Sequence, residues 1–349
     1  MEKLKATTAA DVLALFPHIL GFEPRESFGL MTLQGPALGA SLRIDIPTDD
    51  ISPTDFAQTL TSHLLEDVDA DGVLLMVYTN EKPADPNLAT KPHKDYVEVM
   101  KRELQRGGLP IRDGWLITDQ RWTDYFCEDA DCCQLRPLSE IDDSAISAHM
   151  VFNGSAKRTT LADDPAFIGS DEAERKISET AARMANVAPL DFTDPAHCEA
   201  RAAWQEALGT QPDEDEACEL AGYLQCKPVR DRLVVDTISY AEDMATIRNV
   251  LTGRVTERPD WARVDATEAL LLHLLTYTPG AARAELFSFV GWLSWYKGRS
   301  SVAAAYFKKA LEAQPGHRLT VLLNEMLRMG ALPAVSKNPA TAYNTPQAD

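Results

Sequence analysis

Apolar residues recur at helical spacing over Ala9–Leu20, where Val12, Leu13, Leu15, Phe16, Ile19 and Leu20 share a stripe. Pro17 interrupts that stripe, and Gly21 stands where a helix stops. Two short apolar runs follow, 27–33 and 38–46, parted by Gln34-Gly35-Pro36-Ala37, the chemistry of a hairpin connection. In the second run Leu42, Ile44 and Ile46 alternate with Arg43 and Asp45, a period of two that sends the charged pair to the opposite face. Ser52 as N-cap and Pro53 at the first helical position open a helix expected to reach about Val68, with Phe56, Leu60, Leu64 and Val68 as its stripe. Residues 72–79 contain the unbroken run Val73-Leu74-Leu75-Met76-Val77-Tyr78, which predicts a strand buried on both faces at the centre of a sheet. A helix over Lys94–Arg106 closes at Gly107-Gly108, and 114–118 with 121–126 predict a strand and its hairpin return.

Strands and helices therefore alternate in the first part of the chain, with at least one hairpin, which predicts a mixed α/β sheet flanked by helices. Beyond Asp171 the strand signals fade into helices punctuated by Pro189, Pro195, Pro212, Pro228, Pro259, Pro279 and Pro315. The acidic run 213–216 reads as a helix start, where carboxylates meet the positive end of the dipole. The expected division is a mixed α/β domain over 1–165, an α-helical domain over 166–333, and a polar, Pro- and Ala-rich disordered tail over 334–349. Near its end, Gly291, Ala303, Phe307, Ala310 and Pro315 have the spacing of one tetratricopeptide-like helical hairpin, though no copy stands 34 residues upstream. Two readings stay open there: a hairpin that closes the core, or a peptide-binding groove.

A chain of 349 residues, 45% hydrophobic, has no apolar run near the roughly 20 residues that cross a bilayer. The first residues lack the apolar core of a signal peptide, and six cysteines are too few and irregular for a disulfide framework. A cytoplasmic protein with no membrane partner is expected. A net charge of −19 opposes a phosphate backbone, so nucleic acid is not an expected partner. The charge is uneven: residues 283–328 hold seven basic and three acidic side chains, which leaves the remainder of the chain at −23. Lys297, Arg299, Lys308 and Lys309 are the candidate interaction surface, for an acidic protein partner or for the acidic body of the same chain.

Recognisable catalytic motifs are missing: there is no glycine-rich phosphate loop, no Gly-x-Ser-x-Gly elbow and no His-Glu-x-x-His. A candidate polar site gathers Ser27, Arg43 and Asp45 near strand ends, where an Arg43–Asp45 ion pair is the simplest explanation. Cys127, Cys132 and Cys133, with His149 beyond, supply the donor types of a zinc site, although the spacing matches no common module and Asp129 and Asp131 make the loop acidic. No other cofactor is expected.

Pro17-His18-Ile19-Leu20-Gly21-Phe22-Glu23-Pro24-x-x-Ser27, Leu42-Arg43-Ile44-Asp45-Ile46-Pro47 and Arg121-Trp122-x-x-Tyr125-x-Cys127 with Cys132-Cys133 recur together in one family. So do Val229-Arg230-Asp231 and Trp295-Tyr296-x-Gly298 through Pro315 and Leu322-Leu323. On these pieces the chain resembles, over nearly its whole length, the domain-of-unknown-function family 4192 of actinobacteria and their phages. The resemblance implies the architecture and a cytoplasmic setting, and supplies no reaction. The leading expectation is an interaction or regulatory protein of adaptor type. The alternatives are an enzyme of unrecognised type using Ser27, Arg43 and Asp45, and a metal-binding or redox module at the cysteine loop.

Overall fold

The computed structural model describes residues 5–47, 51–81, 91–127, 129, 134–152, 160–187, 194–338 and 340–343. The chain divides into two compact units, Met1–Thr160 and Leu161–Asp349, a boundary five residues before the expected one.

The first unit runs α1 (Ala9–Leu20), β1 (Ser27–Gln34), β2 (Ala37–Asp45), α2 (Pro53–Leu64), β3 (Gly72–Tyr78), α3 (Lys94–Arg106), β4 (Ile111–Ile117) and β5 (Arg121–Asp124). It closes with the two-residue β6 (Arg136–Pro137), α4 (Ser139–Asp142) and α5 (Ala145–Phe152). The strands form one mixed sheet in the order β2-β1-β3-β4-β5-β6, with β3 and β4 parallel and every other pair antiparallel. Every residue of β3 is buried, as its unbroken apolar run predicts, because helices cover both faces. Val73, Leu75 and Val77 join Phe28 and Leu30 against Phe56, Leu60, Val97 and Met100 of α2 and α3. Leu74, Met76 and Tyr78 face the other way, with Met31, Trp115 and Trp122, against Leu13 and Phe16 of α1 and Ile146 of α5.

Two local expectations are corrected. Pro17 does not break α1: the helix continues through it to Leu20, and the Gly21 N–H closes the end on the Pro17 carbonyl at 2.8 Å. The helix α2 stops at Leu64 rather than at Val68, and Val68 is 87% exposed. The cause is Asp67, whose carboxylate reaches into the β1–β2 hairpin to accept from the Thr32 hydroxyl, from Gln34 Nε2 at 2.7 Å and from the Ala40 N–H at 3.1 Å. Burial pushes the Asp67 carboxyl up, but these donors outweigh it and hold the group below its ordinary value.

The second unit contains α6 (Ala173–Arg183), α7 (Pro195–Ala207), α8 (Glu214–Gln225), α9 (Lys227–Ile238), α10 (Met244–Leu251), α11 (Trp261–Leu275), α12 (Arg283–Tyr296), α13 (Ser300–Ala313) and α14 (Arg318–Arg328). Asp194, Asp213, Asp243 and Asp260 each cap a helix by accepting from its first free N–H groups, so part of the acidic surplus serves local structure. Residues 284–296 of α12 are all buried, the pattern of a helix at the middle of a core. It forms a helical hairpin with α13. A Cβ on Gly291 would lie 2.5 Å from Phe307 Cε1 and 3.3 Å from the Ala303 carbonyl, which is why the position carries no side chain. Among the described residues no helix is long and apolar enough to cross a membrane.

The expected disordered tail is ordered as far as Tyr343, apart from residue 339, which with 344–349 lies outside the described residues. Ala334–Lys337 forms a 3-10 turn whose Val335 is fully buried. Polar composition predicted disorder, whereas two apolar or aromatic anchors, Val335 and Tyr343, hold the segment down.

Candidate functional site

Register places Ser27 opposite Asp45 and Gly29 opposite Arg43, so the predicted trio does meet on one face at one end of the sheet. Arg43 pairs with Asp45 at 2.6 Å and donates to the Arg25 carbonyl at 3.0 Å, tying β2 to the chain before β1. Ser27 is fully buried and its Oγ has no hydrogen-bond partner.

A second cluster at the same sheet end is absent from the sequence-based candidates. Glu26 (φ 40°) and His93 (φ 59°) are the two non-glycine residues in the left-handed region among the described residues. Both meet Thr79, at the carboxyl end of β3. The Thr79 hydroxyl donates to Glu26 Oε2 and the Asn80 N–H to Glu26 Oε1, each at 2.8 Å. His93 Nε2 lies 3.3 Å from Thr79 Oγ1 and 3.2 Å from Glu81 Oε2. The single Thr79 proton goes to Glu26, so His93 Nε2 must be the donor at its own contact, and Nδ1 is the basic nitrogen of the neutral ring. The backbone before the ring is pinned by Lys91 Nζ on the Asp124 carbonyl (2.9 Å) and by the Tyr125 hydroxyl on the Pro92 carbonyl (2.5 Å). One signal was available: His93 occupies the N-cap of α3, where Ser, Thr or Asp is usual, and its side chain makes no cap.

Of the cysteine set, Cys132 and Cys133 lie outside the described residues. The Cys127 N–H donates to Asp124 Oδ1 at 2.7 Å, and His149 sits exposed on α5. Among the described residues no three His, Cys, Asp or Glu side chains are placed to hold a metal.

In the helical unit a buried polar network joins α9, α12 and α14. Arg230 Nη1 donates to both Glu285 oxygens, at 2.9 and 2.8 Å, and Arg230 also pairs with Asp231 at 2.7 Å. His317 Nε2 lies 3.0 Å from Glu285 Oε1, while its Nδ1 is 2.7 Å from Thr320 Oγ1 and 3.3 Å from Ser288 Oγ. Serine, histidine and carboxylate in that order suggest a nucleophile and its base. However, Ser288 is fully buried and donates to the Ala284 carbonyl at 2.6 Å, so the network is structural.

The candidate basic surface is largely spent within the unit. Lys309 and Arg283 both pair with Asp164, at 2.9 and 2.8 Å. Lys308 alone of the four stands well out, 79% exposed, with Glu312 at 3.9 Å. Lys297 is a correction to the surface reading: its side chain is 2% exposed, between Asp265 at 2.6 Å and Glu268. With Arg299 it forms a cage around Tyr343, each cationic group 4.8 Å from the ring centroid. Trp261 meets the same ring edge-on at 5.3 Å, and the Tyr343 hydroxyl donates to Asp265 Oδ1 at 2.9 Å. Burial, then this bond to a carboxylate, pushes the Tyr343 hydroxyl up to about 12. The backbone leading to Tyr343 is held by its carbonyls. Arg258 Nη1 donates to those of Ala340 (3.1 Å) and Ala342 (3.2 Å), and Trp261 Nε1 to that of Thr341 (3.1 Å). The Ala334 N–H donates to the Gly253 carbonyl at 2.8 Å. The described residues of the segment 334–343 thus fill a groove of the helical unit lined by Arg258, Trp261, Asp265, Glu268, Lys297 and Arg299.

A mixed-sheet α/β unit followed by a helical unit that grips its own closing segment defines a two-unit α/β and helical protein. The family model described as a domain of unknown function, DUF4192, matches residues 10–334, and the chain belongs to that family. No curated protein and no solved structure matches the chain. The groove residues Arg258, Trp261, Asp265, Glu268, Lys297 and Arg299 fall inside the matched region, and all but the first residue of the segment that fills the groove falls beyond it.

Proposed function

We propose that this is an interaction protein of adaptor type, whose helical unit takes a peptide segment in the groove now filled by residues 334–343. The observation that carries this reading is the mode of holding: three bonds to successive backbone carbonyls and one caged aromatic side chain. Bonds to main-chain carbonyls do not depend on the side chains that follow one another in the segment, here a turn closed by the Thr341 and Ala342 N–H groups on the Asn338 carbonyl, and the side-chain pocket chooses among sequences. The tetratricopeptide-like spacing of α12 and α13 and a cytoplasmic setting belong to the same proposal, with protein rather than nucleic acid as partner.

A tethered segment competes at an effective concentration on the order of millimolar, so a free peptide binds the intact chain weakly. Removing both anchors in the full chain, with Val335→Asp and Tyr343→Ala, should open the groove. A fluorescein-labelled peptide of the sequence of residues 333–343 should then bind at least about tenfold more tightly than it binds the unsubstituted chain, read by anisotropy. Equal, negligible binding to both chains would dispose of the groove as a peptide site.

The enzyme reading draws on the strained pair Glu26 and His93, since left-handed non-glycine backbone is held only where the surroundings enforce it. It moves from Ser27, Arg43 and Asp45 to His93 as an acid–base group positioned by Thr79. Mass spectrometry of a metabolite extract should show a compound consumed by the unsubstituted chain and spared by a folded His93→Gln variant. If the two leave identical extracts, the enzyme reading goes.

A further inference from the structure

Resting on the peptide-binding reading, we infer that the groove selects a tyrosine: its ligand is a partner segment with small residues before a tyrosine and an aliphatic residue eight positions earlier. The cage excludes charged side chains. Lys297 and Arg299, each 4.8 Å from the ring, attract the π face and repel a lysine or arginine in the same place. Asp265 and Glu268 pair with Lys297 beside the same pocket, so two carboxylates balance its two cations and a charged side chain of either sign would lose its hydration for no net attraction. What enters must therefore be neutral and aromatic, and Trp261 supplies the edge contact at 5.3 Å.

The choice between tyrosine and phenylalanine falls to Asp265. Its Oδ1 accepts from both Lys297 Nζ at 2.6 Å and the Tyr343 hydroxyl at 2.9 Å. A phenylalanine ring would cover the carboxylate without donating to it, removing water and returning nothing. Asp265 is half exposed, which limits the loss, and the expected discrimination is about tenfold. The remaining positions are read by spacing. The carbonyls of Ala340, Thr341 and Ala342, just before the tyrosine, take the Arg258 and Trp261 donors, and Val335 fills the second, fully buried anchor point.

The test uses the full chain carrying Val335→Asp and Tyr343→Ala, titrated with three labelled peptides of the 333–343 sequence that end in tyrosine, phenylalanine or glutamate. Anisotropy should rank tyrosine about tenfold above phenylalanine, with glutamate not bound. Adding Asp265→Ala to the chain, which leaves the tyrosine hydroxyl no acceptor there, should bring tyrosine and phenylalanine together, and thermal melting checks that this variant stays folded. If tyrosine and phenylalanine peptides bind equally to the chain that keeps Asp265, tyrosine selection is wrong and the groove reading stands. If none of the three binds, the groove reading falls and the selectivity falls with it.

Discussion

Lys297→Glu is expected to destabilise the helical unit strongly, although a count of charges along the chain places this lysine on a basic surface. Its ammonium is sealed between Asp265 and Glu268, under the ring of Tyr343. Removing one partner from a buried ion pair costs about 3–5 kcal/mol, because the other charge stays buried and unpaired. A glutamate adds a third carboxylate to that setting, so the loss should be at least about 3 kcal/mol, a large share of a typical total of about 5–15. Lys297→Met should lose less than Lys297→Glu, and Lys308→Glu, on an exposed turn of α13, should leave the urea midpoint where it is. A Lys297→Glu chain with an unchanged midpoint would mean that the side chain lies in water.

The second large effect is expected at Arg230, which is buried with Glu285 and holds both its oxygens. Arg230→Ala should destabilise the unit by about 3–5 kcal/mol at pH 7. Burial pushes the Glu285 carboxyl up, but His317 and Arg230 outweigh it and hold the group below its ordinary 4.5. A carboxyl lowered by folding adds stability above 4.5 and loses it as pH falls through the lowered value. In the alanine variant the Arg230 share of that pull is gone while His317 remains, so burial counts for more, the carboxyl is lowered less, and protonation relieves part of the defect. The gap between the two chains should therefore narrow as pH is taken down through 4.5, measured by urea unfolding at each pH. Asp67 and Asp164, also lowered, are present in both chains and cancel in the difference. A gap that stays constant from pH 7 to pH 4 would show that Glu285 is not the group left stranded.

What was legible in the sequence was local. The period of two in 38–46, the unbroken run 72–78 and the Ser52-Pro53 helix start each depend on neighbours within a few positions, and each element stands where its pattern puts it. What was not legible depends on residues that meet from far along the chain. The end of α2 is set by Asp67 reaching Thr32 and Gln34 more than thirty residues away. Composition reads 334–349 as disordered because it cannot see Trp261 waiting for Tyr343. Lys297 counts as a surface charge until Glu268, from another helix, closes over it. The left-handed backbone at Glu26 and His93 is not marked by glycine, the residue that adopts it without steric cost. Of the candidate chemistry, the Arg43–Asp45 ion pair follows from the period of two along one strand, whereas the burial of Ser27 depends on the helix packed over the sheet.

The clasp on residues 334–343 also sets an order of assembly. Its bonds join positions 78 to 84 residues apart, and the groove that receives it exists only once α11, α12 and α13 have packed together. Closing so long a loop is repaid only by contacts that need a finished surface, so the segment docks last and leaves first. Amide exchange in the segment should then run through an opening much smaller than global unfolding, while α12 exchanges only when the whole unit opens. The groove can thus be vacated by a low-lying fluctuation of the native unit, without waiting for the core to move.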